Sequence, residues 1–131
     1  MNKDIIKIAI NMRNHSYAPY SKYKVGAAVE TNSGKIIGGC NIESASYGLT
    51  CCAERVALYR AISEGYTKFN SIAVSTKNGG FPCGACRQII WELCEDVPIY
   101  ICNNISLLET ISSSSLIPNP FNKTFLKWKV F

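Results

Sequence analysis

Three cysteines and a glutamate, arranged as Cys52-Ala53-Glu54 and Pro82-Cys83-Gly84-Ala85-Cys86, constrain this chain more than any other feature. A protein that brings these two stretches together gains three thiolates at one point. Cys83 and Cys86, three apart at a helix start, would project their sulfurs from one face and chelate one ion at about 2.3 Å each. Pro82 favours a helix beginning there, because its missing N–H costs nothing in a first turn. Cys52 and Glu54 impose a stricter condition, since residues two apart inside a helix point to roughly opposite faces. Cys52 must therefore sit at a helix start. The run Ala53, Val56, Ala57, Leu58, Ala61, Ile62 then forms an apolar helical stripe ending near Gly65, a C-terminal cap. Both cysteine clusters open helices, whose N-termini carry partial positive charge and favour thiolates.

Three protein ligands leave zinc one open position. A structural site closes all four with protein, whereas a catalytic site keeps one for water and needs a nearby base that is not a ligand. Glu54 suits that base. Plainer readings stand beside this one: Cys83-Gly84-Ala85-Cys86 after a strand would also suit a thioredoxin-like redox pair, and buried free cysteines act as small hydrophobes. A redox pair, however, needs neither Cys52-Ala53-Glu54 nor Pro82. A closed zinc knuckle wants a fourth ligand, and His15 is the one histidine, while Cys40, Cys51, Cys94 and Cys102 form no second C-x-x-C.

The chain resembles the small homotetrameric cytidine deaminases. The matching stretches are Tyr17-Ala18-Pro19-Tyr20-Ser21-Lys22-Tyr23 with Val25-Gly26-Ala27-Ala28, Gly39-Cys40-Asn41-Ile42-Glu43, Ala45 to Leu49 with Cys52-Ala53-Glu54-Arg55, and Pro82 to Gln88, in family order. Zinc deaminases of this kind carry a His-or-Cys, Glu and P-C-x-x-C signature. The resemblance implies a zinc ion on Cys52, Cys83 and Cys86, with Glu54 as catalytic acid and base in the hydrolysis of cytidine or deoxycytidine to uridine or deoxyuridine and ammonia, a step of pyrimidine salvage. Glu54 would take a proton from the zinc-polarised water, then protonate ring N3 and the departing amine. The resemblance also implies that Asn41 and Glu43 hold the sugar, that Tyr23 packs near the base, and that the Ala53 N–H donates to the pyrimidine carbonyl. Alternate residues at a strand end point the same way, so Asn41 and Glu43 can grip together. Without the resemblance they would be ordinary polar surface.

Three thiolates on one Zn²⁺ sum to a net negative charge. Arg55, three residues past Cys52, lies on the same side of the helix and would donate hydrogen bonds to the sulfurs of Cys52 and Cys83. Otherwise it is a surface arginine. Arg87 is a weaker candidate for similar support. Two stretches depart from the family: Phe81 stands where Ser or Thr is common, with its backbone carbonyl a possible acceptor for the substrate amine, and the loop Lys77 to Gly80 is short. Beyond Cys102 the match reduces to Leu116-Ile117-Pro118 and Phe121. The resemblance implies that Phe121 of one chain covers the pyrimidine bound at Glu54 of another in a tetramer of D2 type; the competing reading is a core phenylalanine.

Length and composition bound the rest. At 131 residues the expectation is one domain, 1–131, with a single core. No apolar run approaches a membrane span. Ile5, Ile6, Ile8, Ala9 and Met12 alternate with Lys3, Asp4, Lys7 and Arg13, an amphipathic first helix rather than a signal-peptide core. Seven cysteines, an odd number, argue for a reducing compartment, hence the cytoplasm. The net charge of +5 is spread singly from Lys3 to Lys129, so nucleic acid is not expected as a partner, although Phe125, Trp128 and Phe131 interleave with Lys127 and Lys129 in the tail Lys123 to Phe131. The expected partner is a small nucleoside. Other deaminase substrates, such as a blasticidin-type nucleoside or a polynucleotide, form the enzyme alternatives, and a zinc-bearing interaction module the non-enzyme one. An editor of polynucleotides needs loops for flanking nucleotides, for which this chain has little room.

Val25 to Thr31, the turn Asn32-Ser33-Gly34-Lys35 and Ile36 to Cys40 predict a hairpin. The Cys52 helix, strand Ser71 to Ser75, the Cys83 helix to about Leu93, strand Ile99 to Cys102 and a strand near Leu107 to Ile111 then alternate as α and β units. Ser112 to Ser115 is capping material. The resemblance implies an α/β fold of three layers, a five-stranded mixed sheet with helices on both faces.

Overall fold

The structure, a computed structural model, describes residues 1–126, so the tail aromatics Trp128 and Phe131 and their lysines lie outside the described residues. Among the described residues the α-helices and β-strands are, in chain order, α1 (Asp4–Met12), β1 (Gly26–Thr31), β2 (Ile36–Cys40), α2 (Ala53–Ser63), β3 (Phe69–Ser75), α3 (Gly84–Cys94), β4 (Pro98–Cys102), β5 (Leu107–Ser112) and the single-turn α4 (Ser113–Leu116). The five strands form one sheet in the order β2-β1-β3-β4-β5. Only β3 and β4 are parallel, joined through α3; the other neighbours are antiparallel, which makes the sheet mixed.

Strand alternation divides the core into two layers. Ala27, Val29, Ile72, Val74, Ile99 and Ile101 face α2 and α3, burying Ala57, Leu58, Ala61 and Ile90. Ala28, Ala73, Tyr100 and Cys102 face the other way, toward Ile5 and Ala9 of α1. The sheet is therefore covered on both faces by helices, and its central strands read as nearly continuous apolar runs. Among the described residues no helix is long and apolar enough to cross a membrane.

The predicted hairpin forms with Gly26 opposite Cys40 and Glu30 opposite Ile36, and Gly34 takes the left-handed conformation (φ 89°) that closes the turn. Helix α2 ends at the predicted glycine in a Schellman arrangement: Gly65 N–H bonds the Ile62 carbonyl at 3.0 Å and Tyr66 N–H bonds that of Ala61 at 3.0 Å. Ser112 caps α4 by accepting from Ser115 N–H at 3.3 Å. Strand β3 starts at Phe69, earlier than its apolar run suggests, because a register shift between Glu30 and Thr31 pairs Thr31 with Phe69. Gly39 lets α2 lie against β2: a methyl there would sit 2.4 Å from Ala57 N and 2.8 Å from Ala53 O. That close packing fixes the height of the α2 N-terminus above the sheet.

Candidate active site

β2 and β3 are both antiparallel to β1, so their carboxyl ends lie on one edge of the sheet. From that edge the chain enters α2 and α3, and both helices begin there. Cys52 is the residue before α2 (φ −70°, ψ 153°) and Cys83 the residue before α3 (φ −67°, ψ 169°). Their extended backbone is what allows Cys52 and Glu54 to reach one site despite their two-residue spacing. Neither cysteine caps its own helix with its side chain, which leaves the sulfurs available to each other. Pro82 consequently lies two positions before α3, next to the cap residue Cys83, instead of in its first turn; it is buried, and its carbonyl accepts from Arg87 Nε at 2.8 Å.

The sulfurs of Cys52, Cys83 and Cys86 all lie within 4.8 Å of one another, with Cys52 and Cys83 3.8 Å apart. Two thiolates on one tetrahedral zinc, each at about 2.3 Å, stand about 3.8 Å apart. The donor set therefore fits zinc. All seven cysteines are free thiols. A hydrogen bond shared with Cys86, followed by the charge and hydrogen bond of Arg55, pulls the Cys52 thiol down to about 5, while Cys86 is pushed up as the donor partner of Cys52. Three sulfurs this close cannot all ionise without a cation between them.

Glu54 lies beside the cluster with 4 % of its surface exposed. Burial is the main cause that pushes its carboxyl up to about 7, and the Cys52 charge adds to it. Such a carboxyl exchanges protons near neutrality. Arg55 Nη2 donates to Cys52 Sγ at 3.3 Å. The expected second bond to Cys83 is not formed; the guanidinium's other sulfur neighbour is Cys86, and both sulfurs raise its pKa further. Arg55 Nε is buried without a hydrogen-bond partner. Arg87 does not turn toward the sulfurs: besides Pro82 it donates to the Leu116 carbonyl at 3.3 Å, tying α3 to the segment after α4.

A cleft of about 280 Å³ opens above these groups, lined by Tyr23, Asn41, Glu43, Cys52, Glu54, Phe81 and Cys83 among others. Predicted residues separated by up to 60 positions in the chain thus line one cleft. Asn41 is buried and largely committed: its oxygen accepts from Val25 N–H at 3.0 Å and from the Ser16 hydroxyl, and its Nδ2 donates to the Tyr23 carbonyl at 2.8 Å. One amide hydrogen is left for a ligand. Glu43 accepts from the backbone of Tyr20 at 3.0 Å and of Ser21 at 3.1 Å, and from the Ser21 hydroxyl. The Ser21 hydroxyl, with help from Lys22, holds this carboxyl below the usual range, so it presents a fixed negative acceptor at the cleft rim. Ala53 is fully buried, and as the first residue of α2 its N–H has no acceptor within the helix. Phe121 does not reach the cleft of its own chain. It is 53 % exposed, stacks on Phe125 with ring centroids 5.9 Å apart, and is anchored through its carbonyl by Gln88 Nε2 at 2.6 Å. That rules out the core phenylalanine.

Ser16, Thr76 and Asn78, which brace the cleft, carry no local sequence signal; Ser21, which braces Glu43, lies within the family-matching stretch Tyr17 to Tyr23.

Comparison with known proteins agrees with this geometry. The family model described as the cytidine and deoxycytidylate deaminase zinc-binding region matches residues 1–101. A cytidine deaminase of Halalkalibacterium halodurans is 48 % identical over 120 residues, which cover 89 % of this chain and 91 % of that protein. The crystal structure of cytidine deaminase from Burkholderia pseudomallei superposes with a TM-score of 0.87 at 43 % identity, covering 92 % of this chain and 99 % of that one. A blasticidin-S deaminase of Bacillus cereus is more distant, 31 % identical over 113 residues, covering 79 % of this chain and 80 % of that protein.

Proposed function

The chain belongs to the cytidine deaminase family and is a zinc-dependent hydrolytic deaminase, and from that premise we propose that residues 1–131 form one domain acting on cytidine and deoxycytidine in cytoplasmic pyrimidine salvage, with the following division of labour. Cys52, Cys83 and Cys86 would hold the metal. Zinc held there would supply a polarised water for attack at C4 of the pyrimidine. Glu54 accepts the proton released and returns protons to N3 and to the leaving amine, so that cytidine and water become uridine and ammonia. Its burial supports this exchange, because a carboxyl held near neutrality serves in both directions. Arg55 offsets the thiolate charge through Cys52.

Substrate orientation falls to the cleft wall. The free amide hydrogen of Asn41 and the rigid carboxylate of Glu43 take the ribose hydroxyls, the Ala53 N–H takes the pyrimidine carbonyl, and Tyr23 flanks the ring. The Phe81 backbone, at the entrance to the Pro82-Cys83 turn, is the candidate acceptor for the leaving amine. The exposure of Phe121, and of Tyr20, Tyr47 and Leu49, supports a homotetramer in which Phe121 covers a neighbour's cleft. The observation that carries the reading is the convergence of three sulfurs and a buried carboxyl on the cleft that also holds Asn41 and Glu43. Metal analysis of the purified protein with an absorbance assay tests it: about one zinc per chain and loss of the cytidine band are expected, with cytidine turned over faster than blasticidin S. Zinc-loaded protein without cytidine turnover would return the chain to the interaction-module reading.

A further inference from the structure

Asn78 belongs to the short loop between β3 and Pro82, and its side-chain oxygen accepts the phenolic O–H of Tyr23 at 2.7 Å across 55 residues of sequence. The bond joins two walls of the cleft, because Tyr23 comes from the segment ahead of β1 while Asn78 precedes the Phe81 and Cys83 side. Thr76 braces it from behind: its hydroxyl lies 3.5 Å from the same Asn78 oxygen and accepts from Gly80 N–H at 2.7 Å. The phenol fits closely over the loop, since a methyl on Gly80 would stand 2.8 Å from the Tyr23 oxygen. Gly79 beside it adopts φ 74°. Two adjacent glycines leave this loop little intrinsic stiffness. Its position therefore depends on the side-chain bonds that Thr76 and Asn78 make.

We propose that Asn78 is a positioning residue that latches Tyr23 to the β3–α3 loop, and that the latch sets nucleoside affinity by fixing the spacing between the Tyr23 ring and the Gly80–Phe81 backbone. The inference rests on the reading of this cleft as the nucleoside site. Both partners are exposed, so water replaces either of them readily when the bond is cut, and fold stability changes little. What is lost is the alignment of the two walls, a loss that appears in KM.

The test is a double-mutant cycle on the zinc-loaded enzyme, with kcat and KM for cytidine, the Kd of uridine by calorimetry, and Tm measured for Asn78→Ala, Tyr23→Phe, the double variant and Asn78→Asp. Each of the first two raises KM and the uridine Kd by about three- to ten-fold, the worth of one ordinary hydrogen bond, with kcat, zinc content and Tm near wild type. The double variant is no worse than either single one, because the same bond is removed twice. Asn78→Asp restores affinity, since a carboxylate oxygen also accepts the phenol. Unchanged KM, additive losses, or an Asn78→Asp variant as weak as Asn78→Ala would overturn the latch while leaving the nucleoside site intact. A wild-type enzyme that neither deaminated cytidine nor bound uridine would overturn the site reading and the latch together.

Discussion

Removing the Arg55 guanidinium tests how the thiolate cluster tolerates its own charge. Arg55 Nη2 stands 3.3 Å from Cys52 Sγ. At an effective dielectric of 20, unit charges at that distance attract by about 5 kcal/mol, an upper figure for a half-buried pair. A hydrogen bond to a charged group contributes about 1.5–3 kcal/mol net of solvation, which corresponds to roughly ten- to 150-fold in an equilibrium constant. Loss of a residue that supports metal ligands typically costs about 10–100-fold in affinity or activity, so the two routes agree. Arg55→Ala is expected to lose 10–100-fold in kcat/KM and to release zinc to a competing chelator at correspondingly lower chelator concentration. Arg55→Lys, which keeps the charge but not the planar fork, falls between the two. Competition with a chromogenic chelator, run beside cytidine turnover, reads both. An Arg55→Ala enzyme with wild-type zinc retention and turnover would show that the cluster needs no compensation.

Three further outcomes follow from the same geometry. Gly39→Ala, whose methyl would press on the α2 backbone at Ala57 and Ala53, should lower stability by about 1–3 kcal/mol in urea unfolding and loosen zinc, since α2 carries the Cys52 corner of the site; an unchanged midpoint would contradict the close packing of α2 on β2. Cys83→Ala or Cys86→Ala should lower zinc content and deamination together, and a variant that kept its metal would not be missing a ligand. Glu54→Ala and Phe121→Ala chains, each impaired alone, should regain activity when refolded as a mixture, whereas mixtures no better than their parents would confine Phe121 to its own subunit.

The parts legible in the sequence are those fixed by local rules. The hairpin follows from the turn residues around Gly34, and the start of α2 follows from the demand that Cys52 and Glu54 serve one site, a demand that extended backbone at Cys52 meets. The helix α3 starts two residues after Pro82, because Cys83 occupies the cap and turns its sulfur toward Cys52. The three-residue spacing puts Arg55 on the face of Cys52, but whether Cys83 or Cys86 lies within its reach depends on how α2 and α3 pack, which no spacing encodes. The braces of the cleft were hidden for a similar reason. Ser16 holds Asn41 across 25 residues, Ser21 holds Glu43 across 22, and Asn78 holds Tyr23 across 55. Such pairs exist only once the sheet has brought the loops together. They also show that Asn41 spends most of its hydrogen bonds on shaping the site, with only one amide hydrogen left for a ligand.

The assignment of Glu54 as the proton carrier beside a three-cysteine zinc site is tested most directly by measuring zinc and deamination on the same preparation of Glu54→Ala. The carboxyl is buried at the cleft floor and is not one of the three converging donors. Zinc should remain at about one per chain while kcat falls by at least the roughly 10²–10⁴-fold that general acid–base catalysis supplies. Zinc lost in proportion to activity would make Glu54 a ligand, and near-normal turnover with zinc in place would remove it from the chemistry.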